Sequence, residues 1–296
     1  MNIKQMLSNY YRKSLATKSP GTCNFEMKNI NGLLKCFNDL NIEKTSQLDE
    51  DVWFEMITWY QEILKVKNTT IKKRLSYLRT VMRDFRIKSV FFDLKYPRND
   101  KTPFQRFQDN EVTLIFKTVN KLLLEHPSDA NLKMMSLMIY LLLDTGVRNS
   151  ELFDMRIRNI DLLNKFIFLD HTKNNKKEPV LFSEFSSKLL NDVVKSKYHY
   201  EFLFYDVVEN KPMTFNSNLR GFLLKLNRLT GLRIHTHRFR KTFGTLMYMQ
   251  TRDWRFAQKA LRHSDIRTTQ IYVSETLEFV RESYDQASKA FDKFKE

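Results

Sequence analysis

Residues 129–144 constrain the fold more than any other part of the sequence. Their apolar side chains fall on nearly every side of a helix instead of on one stripe, which is typical of a helix buried on all sides. Gly146 follows at the place where a left-handed residue commonly ends a helix. We therefore expect this helix to form the centre of a core. Its apolar residues are Leu132, Met134, Met135, Leu137, Met138, Ile139, Leu141, Leu142 and Leu143.

The chain has 296 residues, enough for about two domains. Between residues 96 and 107 the helical periodicity stops, and Pro97 and Pro103 bracket polar residues, as in a linker. Upstream, apolar residues recur at three- and four-residue steps, which predicts helices, while residues 1 to about 13 are polar and basic and predict a flexible arm. The prediction is a helical domain over residues 1–98 with a short N-terminal arm, a linker over 99–107 and a second domain over 108–296.

The charge balance favours a polyanionic partner. Lys and Arg number 50 against 34 Asp and Glu, so the formal net charge is +16. Such an excess favours DNA or RNA over a membrane. The predicted helix from residue 71 to about 85 is basic on one side and apolar on the other, which suits a DNA groove or backbone, although a solvated charged face gives the same pattern. The predicted DNA contacts are Lys72, Lys73, Arg74, Arg79 and Arg83.

Cysteine usage and hydropathy predict an intracellular chain. Cys23 and Cys36 have neither the spacing of a zinc knuckle nor that of a disulfide framework, so we expect both to be reduced packing residues. The N-terminus lacks the apolar run of a signal peptide. The longest apolar stretch, residues 137–143, is too short to span a bilayer.

The second domain combines helices with a short β-hairpin. Strand-like residues 166–169 and 179–182 flank a polar turn that carries Lys173. The predicted fold class is therefore mainly α with a small β-sheet (α+β). Further helical patterns cover about residues 109–125, 186–196, 216–229 and 238–249, and an amphipathic stripe covers residues 276–294.

Tyr272 is the candidate nucleophile of a site that attacks a phosphodiester. A tyrosine hydroxyl has a pKa near ~10, so it reacts only where surrounding groups stabilise charge. Arg148 follows a chain reversal, where its planar guanidinium can grip two phosphate oxygens, although an ion pair with Glu151 is the structural alternative. His237 and Arg240 are three residues apart and lie on one face at the start of a helix, an end that favours anions.

Lys173 and His263 complete the set of candidate groups. A lysine on the hairpin turn suits a general acid that protonates a departing alkoxide, although Lys176 and Lys177 lie close enough to compete for that role. His263 lies in the same short basic stretch as Tyr272. A metal site of His235, His237 and His263 is an alternative, but no carboxylate or cysteine is placed to complete it, so we predict no metal.

Three segments resemble the signature boxes of the tyrosine recombinase (phage integrase) family. They are residues 145–152 (TGVRNSEL), 237–245 (HRFRKTFGT) and 261–272 (LRHSDIRTTQIY). With the lysine hairpin they cover most of residues 107–275. The preceding helical region is similar to the core-binding (SAM-like) DNA-binding domain of the family, whose members recombine and integrate DNA.

The resemblance implies a residue-by-residue mechanism. Tyr272 attacks the scissile phosphate and forms a 3′-phosphotyrosyl link, while Arg148 and Arg240 hold the non-bridging oxygens. His237 and His263 hydrogen-bond the phosphate, and His237 assists proton removal from Tyr272. Lys173 protonates the leaving oxygen. Glu151 orients Arg148 and takes no part in the chemistry.

The resemblance also implies partners and location. Because the phosphotyrosine conserves the energy of the broken ester, no cofactor is required, neither ATP nor metal. The expected partners are double-stranded DNA recombination sites, three further copies of the chain in a synaptic homotetramer, and an accessory or directionality factor where the reaction needs one. The C-terminal helix would dock on a neighbouring subunit. The expected location is the cytoplasm of a bacterial cell, or its nucleoid, with no membrane partner.

The sequence departs from the family pattern at three positions. Arg262 stands where the family usually has glycine, Phe239 replaces a usual leucine and Lys241 a frequent histidine.

Two rival functions remain. A type IB topoisomerase-like enzyme would use the same chemistry without synapsis. A repressor built on a retired recombinase would bind DNA without cutting it.

Overall fold

The computed structural model divides the chain into two compact units, Met1–Pro103 and Phe104–Glu296. Each unit has its own hydrophobic core, as independently folding domains do. The residues that the structure describes are 1–98, 105–170, 178–197, 200–206 and 208–262.

The first unit is a bundle of four helices. The side chains of Asn2, Ser19 and Asp49 each accept a backbone N–H at the start of a helix, which supplies the bonds that the first helical turn lacks. Trp53 and Tyr60 are fully buried at the centre of its core. The helices are α1 (Ile3–Thr17), α2 (Pro20–Asp39), α3 (Glu50–Glu62) and α4 (Asn68–Asp84).

The flexible arm predicted for residues 1–13 is wrong, because these residues form most of α1. Ile3, Met6 and Leu7 have at most 1% of their surface exposed and pack into the core of the first unit. Their spacing of three and four residues places them on one helical face. The polar and basic residues that suggested an arm occupy the opposite face of the same helix.

The second unit is built around the predicted apolar helix. α6 (Ala130–Thr145) buries side chains along its whole length and contacts α8 and α10. Gly146 ends it with φ +58°, as its position in the sequence predicts. The other helices are α5 (Asp109–Glu125), α7 (Asn149–Phe153), α8 (Glu184–Lys197), α9 (Arg220–Thr230), α10 (Thr236–Thr251) and α11 (Trp254–Leu261).

Two small antiparallel sheets complete the described part of the second unit. In the first sheet, β2 lies between β1 and β3, and Ile167 pairs with Val180 as the predicted hairpin requires. The mainly α fold with a small β-sheet is thus confirmed. The strands are β1 (Ile160–Asp161), β2 (Phe166–Leu169) and β3 (Glu178–Leu181) in the first sheet, and β4 (Tyr205–Asp206) and β5 (Lys211–Pro212) in the second.

The predicted linker, residues 99–107, ends earlier than expected. Phe107 is fully buried against Phe239, with 4.9 Å between the ring centroids. Its backbone N–H donates to the hydroxyl of Thr242 at 2.8 Å. Phe107 is therefore part of the core of the second unit, whereas residues 99–104 lie outside the described residues. In the part of the chain that the structure covers, we find no helix with the length and apolar character needed to cross a bilayer.

The packing of α1 can be tested with two leucine variants. We expect Leu7→Ala to lower the free energy of unfolding of the first unit by about 2–5 kcal/mol, because it leaves a cavity in the core. Leu15→Ala is the control on the same helix, since Leu15 is 57% exposed, and it should change that free energy by less than about 0.5 kcal/mol. Urea denaturation measures both. Equal effects of the two variants would contradict the buried position of α1.

Candidate active site

The turn after α6 contains two residues of the candidate site, Gly146 and Arg148. Gly146 adopts the left-handed conformation, and a Cβ at this position would lie 2.3 Å from Cδ1 of Phe243. Only glycine therefore fits both the backbone angle and the close approach of the ring. Two residues later, Arg148 precedes the first turn of α7.

Arg148 is fixed by Glu151 and by the end of α11. Its backbone N–H donates to Oε2 of Glu151 at 2.8 Å, and its Nη1 donates to Oε1 of the same carboxylate at 2.6 Å. Its Nη2 donates to the carbonyl of Arg262 at 3.3 Å. The side chain keeps 27% of its surface exposed, so the guanidinium is held in one orientation and remains accessible.

Arg240 is buried and bonds to the ends of two helices. Its Nη1 donates to the carbonyl of Gly146 and its Nη2 to the carbonyl of Leu261. These carbonyls lie at the C-terminal ends of α6 and α11, where the last carbonyls lack helical partners and carry partial negative charge. The guanidinium of Arg240 thus satisfies both ends and joins the turn after α6 to the residues just before His263.

Glu151 is the carboxylate of this network. It is 1% exposed and accepts from Nη2 of Arg262 at 3.1 Å as well as from Arg148. Burial acts to raise the pKa of this carboxyl, but the charge of Arg262 and the hydrogen bonds from Arg148 outweigh it and lower the pKa below its ordinary value. Glu151 is therefore ionised at neutral pH and balances the positive charge of its neighbours.

The two histidines at the start of α10 are neutral at neutral pH. Partial burial lowers the pKa of His237, and the positive charges of Lys241 and Arg240 lower it further. Burial and nearby cations also lower the pKa of His235, whose Nδ1 accepts the backbone N–H of Arg238 at 3.2 Å. A neutral imidazole can accept a proton, so His237 has the form that a general base requires.

The structure brings half of the predicted catalytic set into one place. Arg148 and Arg240 donate hydrogen bonds to two consecutive backbone carbonyls, those of residues 262 and 261. His237 lies one helical turn before Arg240 on α10. Lys173, His263 and Tyr272 lie outside the described residues, as does the C-terminal stripe at residues 276–294. Within the described ranges, we find no cluster of histidine, cysteine or carboxylate side chains able to hold a metal ion.

The predicted DNA contacts on α4 divide into exposed and buried residues. Lys72, Lys73 and Arg83 are exposed, as a DNA-facing surface requires. Arg79 is only 6% exposed, and its guanidinium lies 4.4 Å from the ring centroid of Trp53. Its Nη2 also donates to the carbonyl of Leu94. The prediction of a DNA contact is therefore wrong for Arg79, because the aromatic rings of the first unit draw its guanidinium into the core.

Arg74 packs part of its side chain against other residues of the first unit. Its guanidinium lies 4.9 Å from the ring centroid of Tyr60, and it packs against the backbone of Gly32. The Nη1 atom is buried. The residue as a whole remains partly exposed, so a DNA contact of Arg74 stays a prediction.

Arg238 and Glu111 form an ion pair beside the site, and neither residue was among the predicted site residues. Arg238 is 8% exposed, and its Nη2 donates to Oε2 of Glu111 at 2.6 Å and to the carbonyl of Arg106 at 3.0 Å. This ion pair anchors the first turn of α10, which carries His237, to the start of α5. Glu111 stands three residues after Gln108, the spacing of a capping box. That spacing is the sequence signal that could have marked Glu111 as a structural residue at the start of α5.

The close contact at Gly146 can be tested against a second left-handed glycine. Gly231 has φ +70° but open space around its Cβ position. We expect Gly231→Ala to lower the free energy of unfolding by about 1–2 kcal/mol through backbone strain alone. Gly146→Ala should cost about 1–3 kcal/mol more, because the ring of Phe243 must also move. Urea denaturation of both variants measures the difference, and equal costs would contradict the contact.

Comparison with known proteins extends over nearly the whole chain. The phage integrase family matches residues 105–278. A probable integrase/recombinase of Acholeplasma phage L2 is 32% identical over 274 residues, which cover 92% of this chain and 93% of the relative. Tyrosine recombinase XerA of Saccharolobus solfataricus is 35% identical over 154 residues, which cover 51% of this chain and 49% of the relative.

Solved structures share the fold. The Tn1549 transposon integrase in complex with transposon right end DNA has a TM-score of 0.77 at 16% identity, and the match covers 100% of both chains. XerH site-specific recombinase bound to palindromic difH substrate has a TM-score of 0.72 at 18% identity, and the match covers 95% of this chain and 83% of XerH. The sequence and fold together show that the chain belongs to the phage integrase family and is a tyrosine recombinase, an enzyme of site-specific DNA recombination.

Proposed function

We propose that this recombinase cuts and rejoins DNA through a 3′-phosphotyrosyl intermediate formed by Tyr272. One observation carries the proposal: the three signature segments meet through hydrogen bonds. Arg148 of the first segment and Arg240 of the second donate to the carbonyls of Arg262 and Leu261 in the third. The third segment also contains Tyr272.

In the proposed reaction, the two arginines bind the scissile phosphate. The oxygen of Tyr272 attacks phosphorus, the bond to the 5′ oxygen breaks, and negative charge grows on the non-bridging oxygens. Arg148 and Arg240 would stabilise that charge, and because protein bonds fix both guanidinium groups, little reorganisation is needed during the reaction. Glu151 orients Arg148.

The remaining groups move protons and hold the phosphate. His237, whose pKa is lowered, accepts the proton that Tyr272 loses. His263 donates a hydrogen bond to the phosphate, and Lys173 protonates the leaving 5′ oxygen, with Lys176 and Lys177 as the alternative donors. The ester energy stays in the phosphotyrosine, so a 5′-hydroxyl from a second duplex reverses the attack and exchanges strands without ATP or metal.

The exposed face of α4 would bind the DNA flanking the cut. Lys72 and Lys73 line a shallow groove of about 500 Å³. Lysines beside hydroxyl groups suit contacts with phosphate oxygens, which position a protein on DNA without reading its sequence. The rest of the groove is lined by Phe25, Thr69, Ser76, Tyr77 and Thr80.

Assembly around two DNA sites would use an apolar groove of the second unit. The groove has a volume of about 520 Å³ and lies where β3 meets α10 and α11. We propose that the C-terminal helix of a neighbouring subunit in a homotetramer docks its apolar stripe there. A lambda integrase dimer bound to a COC′ core site has the same fold, with a TM-score of 0.72 at 17% identity. The apolar residues of the groove are Pro179, Val180, Leu181, Phe182, Phe243, Met247, Phe256 and Ala260.

Trapping the covalent intermediate tests the chemistry. We expect wild-type protein to form a covalent adduct on a nicked suicide substrate in EDTA, and Tyr272→Phe to form none. Arg148→Ala and Arg240→Ala should lower the rate of adduct formation by about 10²–10³, because each removes a donor to the developing charge. Denaturing gel electrophoresis measures the adduct.

Arg158→Ala is the matched control, since Arg158 is an exposed arginine of the same unit, and it should retain the wild-type rate. No adduct from the wild-type protein would favour a DNA-binding protein without catalysis. Cleavage that requires a divalent metal would favour a nuclease. Relaxation of supercoiled DNA without exchange between two sites would favour the topoisomerase-like alternative.

The α4 surface predicts a change in the salt dependence of DNA binding. Each phosphate contact contributes about 0.9 to the slope of log K against log salt concentration, so Lys72→Ala with Lys73→Ala should reduce that slope by about 2. Arg79→Ala is the control on the same helix, since Arg79 is buried. It should lower the free energy of unfolding and leave the slope unchanged. Fluorescence anisotropy titrations measure the slope. A slope that falls for Arg79→Ala but not for the double lysine variant would contradict the assignment.

A further inference from the structure

Arg262 occupies a backbone conformation that normally selects glycine. It ends α11 with φ +53° and ψ +46°, in the left-handed region where a Cβ is unfavourable. Glycine is the residue that the family usually has here, so the arginine introduces backbone strain that glycine would avoid. Such strain persists where the surrounding structure holds the residue in place.

The side chain of Arg262 differs from those of the other left-handed arginines. Arg86 and Arg252 also have positive φ values, but both are exposed. The side chain of Arg262 is 7% exposed, and its Nη2 donates to Oε2 of Glu151 at 3.1 Å. Its Nη1 donates to the carbonyl of Ala260 at 3.1 Å, which closes the end of α11. Arg262 therefore enters the network that holds Arg148.

Arg262 reaches Arg148 by two routes. Its side chain fixes Oε2 of Glu151, the oxygen that also accepts the backbone N–H of Arg148. Its backbone carbonyl accepts directly from Nη2 of Arg148. The guanidinium of Arg148 is thus bracketed by Glu151 and by the backbone of Arg262, and both sides depend on the position of Arg262.

We propose that Arg262 is a positioning residue of the recombinase, which replaces the usual glycine and orients Arg148 toward the scissile phosphate through Glu151. The inference rests on the proposed function, in which Arg148 binds that phosphate. Arg262 itself does not touch the substrate in this proposal. It raises the fraction of molecules in which Arg148 is correctly placed, so its loss acts on the rate of the chemical step and less on DNA affinity.

The charges around Glu151 give the proposal a pH signature. The charged groups that face it are Arg148 at the start of α7 and Arg262 at the end of α11. The carboxylate of Glu178 in β3 also attracts Arg262 electrostatically. Arg240 of α10 donates to the carbonyls of Gly146, before α7, and Leu261, in α11. Without Arg262, burial raises the pKa of Glu151 with less opposition. The carboxyl then becomes protonated at a higher pH than in the wild type, and Arg148 loses its anionic partner.

The test is single-turnover adduct formation at saturating DNA, measured from acidic to neutral pH. We expect Arg262→Gly to slow the reaction about 10- to 100-fold, the range seen when a group that orients a metal ligand is lost. We also expect its acid limb, which protonation of His237 sets in the wild type, to steepen and move to higher pH because Glu151 then also becomes protonated. DNA affinity should change little, because the side chain is buried. Arg262→Lys should recover part of the rate. Circular dichroism melts ensure that each variant is assayed below its unfolding transition.

Arg86→Gly is the matched control, because it makes the same substitution at a left-handed position in the first unit. It should leave the acid limb unmoved. A wild-type rate and acid limb in Arg262→Gly would overturn the inference, as would equal losses in Arg262→Gly and Arg262→Lys or an equal shift in Arg86→Gly. If the wild type forms no adduct, the proposed function fails and this inference with it; if the wild type reacts and Arg262→Gly matches it, only this inference fails.

Discussion

The site depends on arginine side chains that bond to the carboxyl ends of helices. α6 and α11 both end in left-handed residues, Gly146 and Arg262, which turn the chain away and leave the last carbonyls without helical partners. The guanidinium of Arg240 donates a hydrogen bond to a carbonyl at each of these two ends. The helix ends are thereby satisfied inside the protein, and the arginine acquires a fixed position. One set of bonds supplies both the stability of the turn and the geometry of the site.

This constraint explains why distant parts of the sequence converge. α6 supplies the buried centre against which α10 packs, so the turn after α6 and the middle of α10 are brought together by apolar contacts. Phe243, one turn after Arg240 on α10, packs directly against Gly146 and makes any larger residue there unfavourable. Apolar packing sets the approach of the helices, and the hydrogen bonds of Arg240 set their register. In the resulting arrangement, Arg148 and Arg240 donate to the neighbouring carbonyls of Arg262 and Leu261.

The sequence predicted the elements whose signals are local. α6 was identifiable because its apolar residues surround the helix, and its end because only glycine suits the turn at Gly146. α1 was missed because its buried residues form a narrow stripe among polar neighbours. Arg79 was misassigned because position on a helix does not reveal whether Trp53 and Tyr96 will enclose its guanidinium. Contacts between residues far apart in sequence decided both outcomes.

Arg262 shows where a resemblance to a family stops being informative. The family pattern marks the position as a departure but does not say what the arginine contacts, since its partner Glu151 lies 111 residues away in the sequence. The contact also changes the charge of the site. Arg148, Arg240 and Arg262 are three cations in the described network, and its carboxylates are Glu151 and Glu178, the second of which attracts Arg262. A buried excess of positive charge is unfavourable in the protein alone, and a bound phosphate would relieve it. In the proposed function, this excess of positive charge would favour the binding of a DNA phosphate and, as charge grows on the non-bridging oxygens, the transition state of cleavage still more.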